Sequence, residues 1–178
     1  MANRCVFFIR EGRIIREVFN LDWNLGFTAD AKIKYISNAY EILKEKIPGE
    51  TLDVTSANKT SQEGYLLSPF YLRVQHWMNF EDYYMKTKSN DDDWYTRMLF
   101  YDWLYGVTVL SNGKRCVELV EKYDNFIDIF HKPDNHHCTQ AKSCAVLKLA
   151  MQTRDPVKLY SSSSEFYAWR IENVNFIT

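Results

Sequence analysis

The chain has 178 residues, 25% of them charged and 46% hydrophobic, with a formal net charge of −1. That is long enough to bury a substantial core and too weakly charged to support the global basic field of a non-specific DNA binder, so any nucleic-acid contact has to be local. No window of eighteen apolar residues exists, which excludes a conventional transmembrane helix. The basic-then-apolar start, Met1 to Ile9, is too short in its apolar part for a signal peptide, so a cytoplasmic protein is the expectation.

In chain order, Cys5-Val-Phe-Phe-Ile-Arg and Arg13-Ile-Ile-Arg-Glu-Val-Phe flank Glu-Gly and read as a β-hairpin. Thr28 is a fitting N-cap for a helix whose stripe is Ile33, Ile36, Ala39, Tyr40 and Leu43, ended by Pro48-Gly49. Thr51–Thr55 reads as a short strand. Ser56–Gly64 reads as a polar loop. In Leu66–Leu72, Pro69 argues for an edge strand or an irregular extended segment. Asn79–Lys88 reads as a helix, Ser89–Asp93 as an acidic interruption suited to starting the next helix, and Trp94–Leu110 as a long aromatic helix broken by Ser111-Asn-Gly. Lys114–Lys122 is a short amphipathic helix. Tyr123–Ile129 is either a strand or an irregular wall. Cys138–Met151 is a helix with Ala141, Cys144, Ala145, Leu147, Leu149 and Ala150 inward. Asp155-Pro156 and Ser161–Ser164 read as a loose connection to a final aromatic segment, Glu165–Trp169. The pattern predicts a predominantly helical α+β fold in one compact domain, with an N-terminal hairpin and few short strands.

Two clusters invite a chemical reading. His131, His136, His137, Cys138 and Cys144 are near one another, but their spacing fits no usual zinc pattern, and no metal site is expected. On the Asn79–Lys88 helix, Glu81, Tyr84 or Met85, and Lys88 share a face. Glu81 and Lys88 stand roughly 10 Å apart along the axis, too far for an ion pair and suited to gripping two ends of one ligand. An amphipathic helix with solvated charges would show the same spacing.

The motifs resemble those of a known family. Glu81-Asp-Tyr-Tyr-Met-Lys-Thr-Lys88 resembles the Glu-x-Tyr-[Tyr/Phe]-x-x-x-Lys helix of the NADAR superfamily, and Leu67-Ser-Pro-Phe-Tyr resembles its Leu-Ser-Asn-Phe-Tyr segment. Phe100–Tyr105, Tyr123–Ile129 and Gln140-Ala-Lys142 are similar to one branch, the antitoxins paired with toxins that ADP-ribosylate guanine in DNA. The N-terminal hairpin and Trp23…Gly26-Phe27 look like that branch's extension, giving residues 1–50 as extension and 51–178 as core.

The resemblance implies a cofactor-free N-glycosidase that removes ADP-ribose from guanine in single-stranded DNA, with ADP-ribose as product and a cognate toxin as partner. By motif, Glu81 matches the catalytic carboxylate and Lys88 the lysine of the same helix. Trp94 matches the following tryptophan, and Asp124, with Asp128 competing, the later pocket aspartate. Tyr84, Ser68, Phe70 and Gln140 join Trp94 and Asp128 as expected ligand-binding residues. Two departures stand out: only Ser89–Asp93 separate Lys88 from Trp94 where relatives carry a longer basic segment, and Cys138-Thr139 replaces Asn-Cys before Gln140. A module that binds ADP-ribose, modified DNA or toxin without catalysis, and a small-molecule N-glycosidase like the riboflavin-pathway branch, are the alternatives.

Overall fold

The computed structural model describes residues 2–21, 28–54, 62–129 and 139–174. The expectations placed on Trp23–Phe27, on most of Ser56–Gly64, and on His131, His136, His137 and Cys138 lie outside them. The described residues form an α+β fold dominated by helices, as the sequence pattern implies. Among them, no helix is long and apolar enough to cross a membrane.

The hairpin is longer than its most β-rich core suggests: β1 (Ala2–Arg10) and β2 (Arg13–Leu21) pair antiparallel from Ala2↔Leu21 to Arg10↔Arg13. Glu11 and Gly12 form the turn with φ of 51° and 71°. Helix α1 (Ala29–Lys46) starts on Thr28, whose side chain accepts from the Ala31 N–H at 3.3 Å. It lays Tyr35, Ile36, Ala39 and Leu43 against Val6, Phe8 and Phe19 of the hairpin.

Strand β3 (Thr51–Asp53) pairs parallel with β6 (Asn125–Ile127), and β6 pairs antiparallel with β1, giving the order β2-β1-β6-β3. The wall-or-strand ambiguity of Tyr123–Ile129 thus resolves into a fully buried three-residue strand. Because β1 lies in the middle of this sheet, the N-terminal hairpin is built into the core.

Between β3 and β6 run α2 (Gln62–Leu66), a two-strand ribbon of β4 (Arg73–Val74) and β5 (Met78–Asn79), α3 (Phe80–Thr87), α4 (Trp94–Ser111) and α5 (Lys114–Lys122). The chain then forms α6 (Gln140–Thr153), α7 (Pro156–Tyr160) and α8 (Ser163–Asn173). The expected loose connection is a correction: Asp155 caps α7 through bonds from the Val157 and Lys158 N–H groups, and Ser162 caps α8. Asp155-Pro156 is therefore an N-cap followed by a proline at the first helical position, where its missing N–H is harmless.

Helix α6 is the hub. Eleven of its residues, Gln140 to Ala150, are buried in unbroken succession, so it is covered on every side. That encirclement brings charge inside. Asp102 of α4 bonds Arg170 of α8 at 3.2 Å, lies 3.3 Å from Lys142 Nζ and accepts from Ser143 Oγ at 2.6 Å, with all four residues buried. Gly106, one turn further along α4, leaves room for the Tyr160 ring, which a Cβ would meet at 2.0 Å.

The Asp102 carboxylate is shared by two cations that have left water, so its removal strands both. We expect Asp102→Ala to lower unfolding free energy by about 3–5 kcal/mol in urea titration. A loss under about 1 kcal/mol would show that the cluster does not tie α4, α6 and α8 together.

Candidate active site

The first turn of α3 sorts two neighbouring acids. Asn79 caps the helix by accepting from the Asp82 N–H at 2.8 Å, and its own amide donates back to Asp82 Oδ2 at 2.8 Å. This reciprocal cap uses Asp82. Glu81 is left over: it is half-buried, and no hydrogen bond reaches its carboxylate among the described residues. Burial pushes its pKa above the ordinary glutamate range; Lys88 opposes the shift and Asp82 adds to it. Desolvation thus outweighs the helix N-terminus, which by itself favours the ionised form.

Lys88 ends the helix as its C-cap, with its N–H on the Tyr84 carbonyl at 2.9 Å. Its ammonium folds back over the Tyr84 ring, 5.7 Å from the centroid, so the lysine shares the Glu81 environment without pairing to it. Tyr84 itself is only 7% exposed. Its ring stacks on Phe80 and Phe100 and meets Tyr101 edge-on at 4.9 Å, so packing uses the faces expected to stack on ligand. Trp94, at the first position of α4, is 57% exposed and rests edge-on against Tyr95. The five-residue connection before it is closely tied: Asp93 caps α4 through the Thr96 N–H at 2.7 Å, and Arg97 holds the Asn90 carbonyl at 2.7 Å.

The segment before the ribbon frames the start of α3. The Glu81 N–H donates to the Pro69 carbonyl and the Phe80 N–H to the Leu72 carbonyl. Ser68 is fully buried and its Oγ accepts from the Phe70 N–H at 3.2 Å, a turn-forming role, while Phe70 is exposed.

The second group lies where β3 and β6 end together. Gln140, opening α6, donates one amide nitrogen both to the Val54 carbonyl at 3.0 Å and to Asp128 Oδ2 at 2.6 Å. Asp128 is buried, and beside it Asp53 is fully buried, with Oδ1 accepting the Ile129 N–H at 3.1 Å and no partner for Oδ2 among the described residues. Ligands of sheets with parallel strands collect at such carboxyl ends. The sequence reading missed Asp53, because one acid in a three-residue strand carries no spacing signal.

Asp124 lies elsewhere. It precedes β6 as Asp128 follows it, four residues apart along an extended strand, or roughly 13 Å. There Asp124 accepts the Glu50 N–H at 3.0 Å, closes against Gly49 (φ 95°) and sits 3.8 Å from Lys148 Nζ. A cleft of about 380 Å³ opens at this end, between Arg10, Pro48, Gly49, Asp124, Lys148 and Gln152. Part of its polar lining is already engaged: Lys148 also donates to the Glu121 and Tyr123 carbonyls at the end of α5, and Asn125 donates to the Pro48 carbonyl and to Thr51 Oγ1. The structure therefore bonds Asp128 to Gln140, keeps Lys88 within electrostatic reach of Glu81 without pairing them, and separates Asp124 from Asp128.

Buried contacts link the segment that precedes α3 to helix α6. Tyr105 Oη donates to the Leu67 carbonyl and contacts Cys144 Sγ, and Cys144 lies one helical turn from Gln140 on the same face of α6. Among the described residues no three His, Cys, Asp or Glu side chains form a metal cluster.

Asp53 makes stability pH-dependent. Burial raises it to about 8, with Asp128 adding to the shift and the Ile129 N–H opposing it; Arg4, Tyr35 and Tyr40 are the other ionisable groups around it. An unfolded aspartate titrates at about 3.9. Between these values the native state holds a proton that the unfolded chain has lost, so this contribution to stability is full at low pH and fades as pH rises towards about 8. Urea titrations across pH 5–8 should show wild-type stability falling by up to about 1.4 kcal/mol per pH unit from this group, with Asp53→Asn flatter. Parallel curves would rule out a protonated Asp53.

No curated protein matches the chain. The model of the NADAR-DarT1 family, described as the DarT1-associated NADAR antitoxin, matches residues 78–174, a span that includes Glu81, Lys88, Trp94, Asp128 and Gln140. With more than half of its length matched, from β5 to the end of α8, the chain belongs to the family of DarT1-associated NADAR antitoxins.

Proposed function

We propose that the protein is an ADP-ribosyl glycohydrolase that removes ADP-ribose from guanine in single-stranded DNA, reversing the modification made by a DarT1-type toxin. The observation that carries this reading is Glu81: a half-buried carboxylate with a raised pKa, unused by its helix cap, beside Lys88 and inside the span that the antitoxin family matches.

The chemistry is the hydrolysis of an N-glycosidic bond. The bond from the anomeric carbon to the guanine nitrogen breaks, water supplies a hydroxyl to that carbon, and the base leaves with a proton. Positive charge builds on the ribose as the bond stretches. Glu81 stabilises that charge and orients or deprotonates the water. Lys88 holds the pyrophosphate or protonates the leaving base. The exposed Trp94 ring stacks on base or adenine. Asp128, oriented by Gln140, takes the ribose-hydroxyl role that the motif match had offered first to Asp124, because Asp124 lies at the far end of β6. Tyr84 supports the helix from within, and no cofactor or metal enters.

A second reading has one observation behind it. The connection Ser89–Asp93 is short and bound up in capping, where relatives carry a longer basic segment, and a pocket lacking that wall could bind ADP-ribose without turning it over. Calorimetric binding of ADP-ribose without release from modified DNA would select it.

Incubation with an oligonucleotide carrying ADP-ribosyl-guanine should liberate ADP-ribose. Glu81→Gln should slow release by about 100-fold or more. Activity should fall on acidification through a pKa above that of a free glutamate. No release by wild type, or equal release by the variant, sinks the proposal.

A further inference from the structure

Acids are 23 of the 178 residues, yet none occurs in residues 64–80. That stretch instead carries Arg73 and His76, together with three large aromatic side chains on the surface. Phe70 and Tyr71 are 49% and 40% exposed, and Trp77 is 66% exposed, more than any other tryptophan among the described residues. Lys86 of α3 reaches the same ribbon, with its Nζ 3.9 Å from Met78 Sδ.

The exposure of Trp77 is held by the backbone. Residues 75–77 join β4 to β5, and Gln75 and His76 adopt φ of 54° and 68°, a left-handed conformation that residues other than glycine rarely accept. Two anchors impose it. The Asn112 side chain bonds both the N–H and the carbonyl of Arg73, at 2.8 and 2.7 Å, and the Phe80 N–H closes the other end on the Leu72 carbonyl. The ribbon is thus fixed to the end of α4 in a strained turn whose ring faces solvent. Strain retained without any burial gained is a reason to look for a ligand.

Outward rings with Arg73 and Lys86 among them, and with the neighbouring Asp82 carboxylate tied to the Asn79 amide, suit one occupant better than others. Bases stack on aromatic faces whatever their identity, and phosphates are drawn to the cations. We propose that Phe70, Tyr71 and Trp77, with Arg73, form a lip on which an unpaired nucleic-acid strand lies beside Glu81. The placement follows from the Pro69 carbonyl that anchors the Glu81 N–H, so a strand on the lip borders the start of α3. The identity of the strand as modified DNA rests on the glycohydrolase reading, whereas its attachment to the lip is independent of turnover. The lip also supplies the local nucleic-acid contact that a chain of net charge −1 requires.

The test uses the full chain and a fluorescent, unmodified oligodeoxynucleotide of roughly twelve nucleotides, read by anisotropy. Wild type should bind it in low salt and bind the matching duplex more weakly. Trp77→Ala should weaken binding about five- to hundred-fold with an unchanged melting midpoint, and Trp77→Phe should keep most of it. Arg73→Ala should make the dependence of log affinity on log salt shallower by about 0.7. Equal binding by wild type and Trp77→Ala, equal binding of duplex, or no binding by wild type overturns the proposal and leaves the lip to a protein partner. Trp77-dependent binding without ADP-ribose release would keep the lip and discard the glycohydrolase; release with Trp77-independent binding would do the reverse.

Discussion

A single amide, the Gln140 side chain, sets the geometry around the carboxyl ends of β3 and β6. One nitrogen serves the last carbonyl of one strand's edge and the carboxylate following the other, so the start of α6 is clamped to both. From that clamp the helix carries the remaining constraints: Lys142 and Ser143 reach Asp102, Cys144 meets Tyr105, and Lys148 closes the end of α5. In a buried, low-dielectric setting each of these polar contacts is expensive to break and directional, which pins α6 in rotation as well as position. The apolar core could tolerate a small twist of this helix. The hydrogen bonds could not.

The same accounting separates residues used by the fold from residues available for chemistry. Asp82 and Glu81 are adjacent, and the cap engages Asp82 alone. Asp124 and Asp128 flank one strand; Asp124 is tied into the Gly49 turn, while Asp128 lies among the buried groups at the other end. Tyr84 and Trp94 are both aromatic, but Tyr84 is enclosed by rings and Trp94 is more than half exposed. In each pair the residue type is the same or similar, and the partner set decides the role.

Most helices were legible because capping and periodicity are local physics. Thr28, Asn79, Asp93 and Thr139 all accept the N–H expected of a cap. The misreadings have equally local causes. Ser161–Ser164 looks like a loop by composition, yet one serine caps α8 and another begins it. The β4–β5 ribbon was missed because its turn uses Gln75 and His76 where glycine or asparagine would announce it.

The sequence by itself determined the predominantly helical α+β class, the hairpin, and the α3 motif from Glu81 to Lys88, since these rest on spacing within a few turns of chain. Which of two aspartates belongs with Gln140, that Asp53 is buried next to Asp128, that Tyr84 faces inward and that Trp77 faces out were decided only by tertiary structure. Burial and hydrogen-bond partners come from segments far apart in the chain, 86 residues for Gln140 and Val54 and 125 for Arg4 and Ile129, and no local pattern encodes them.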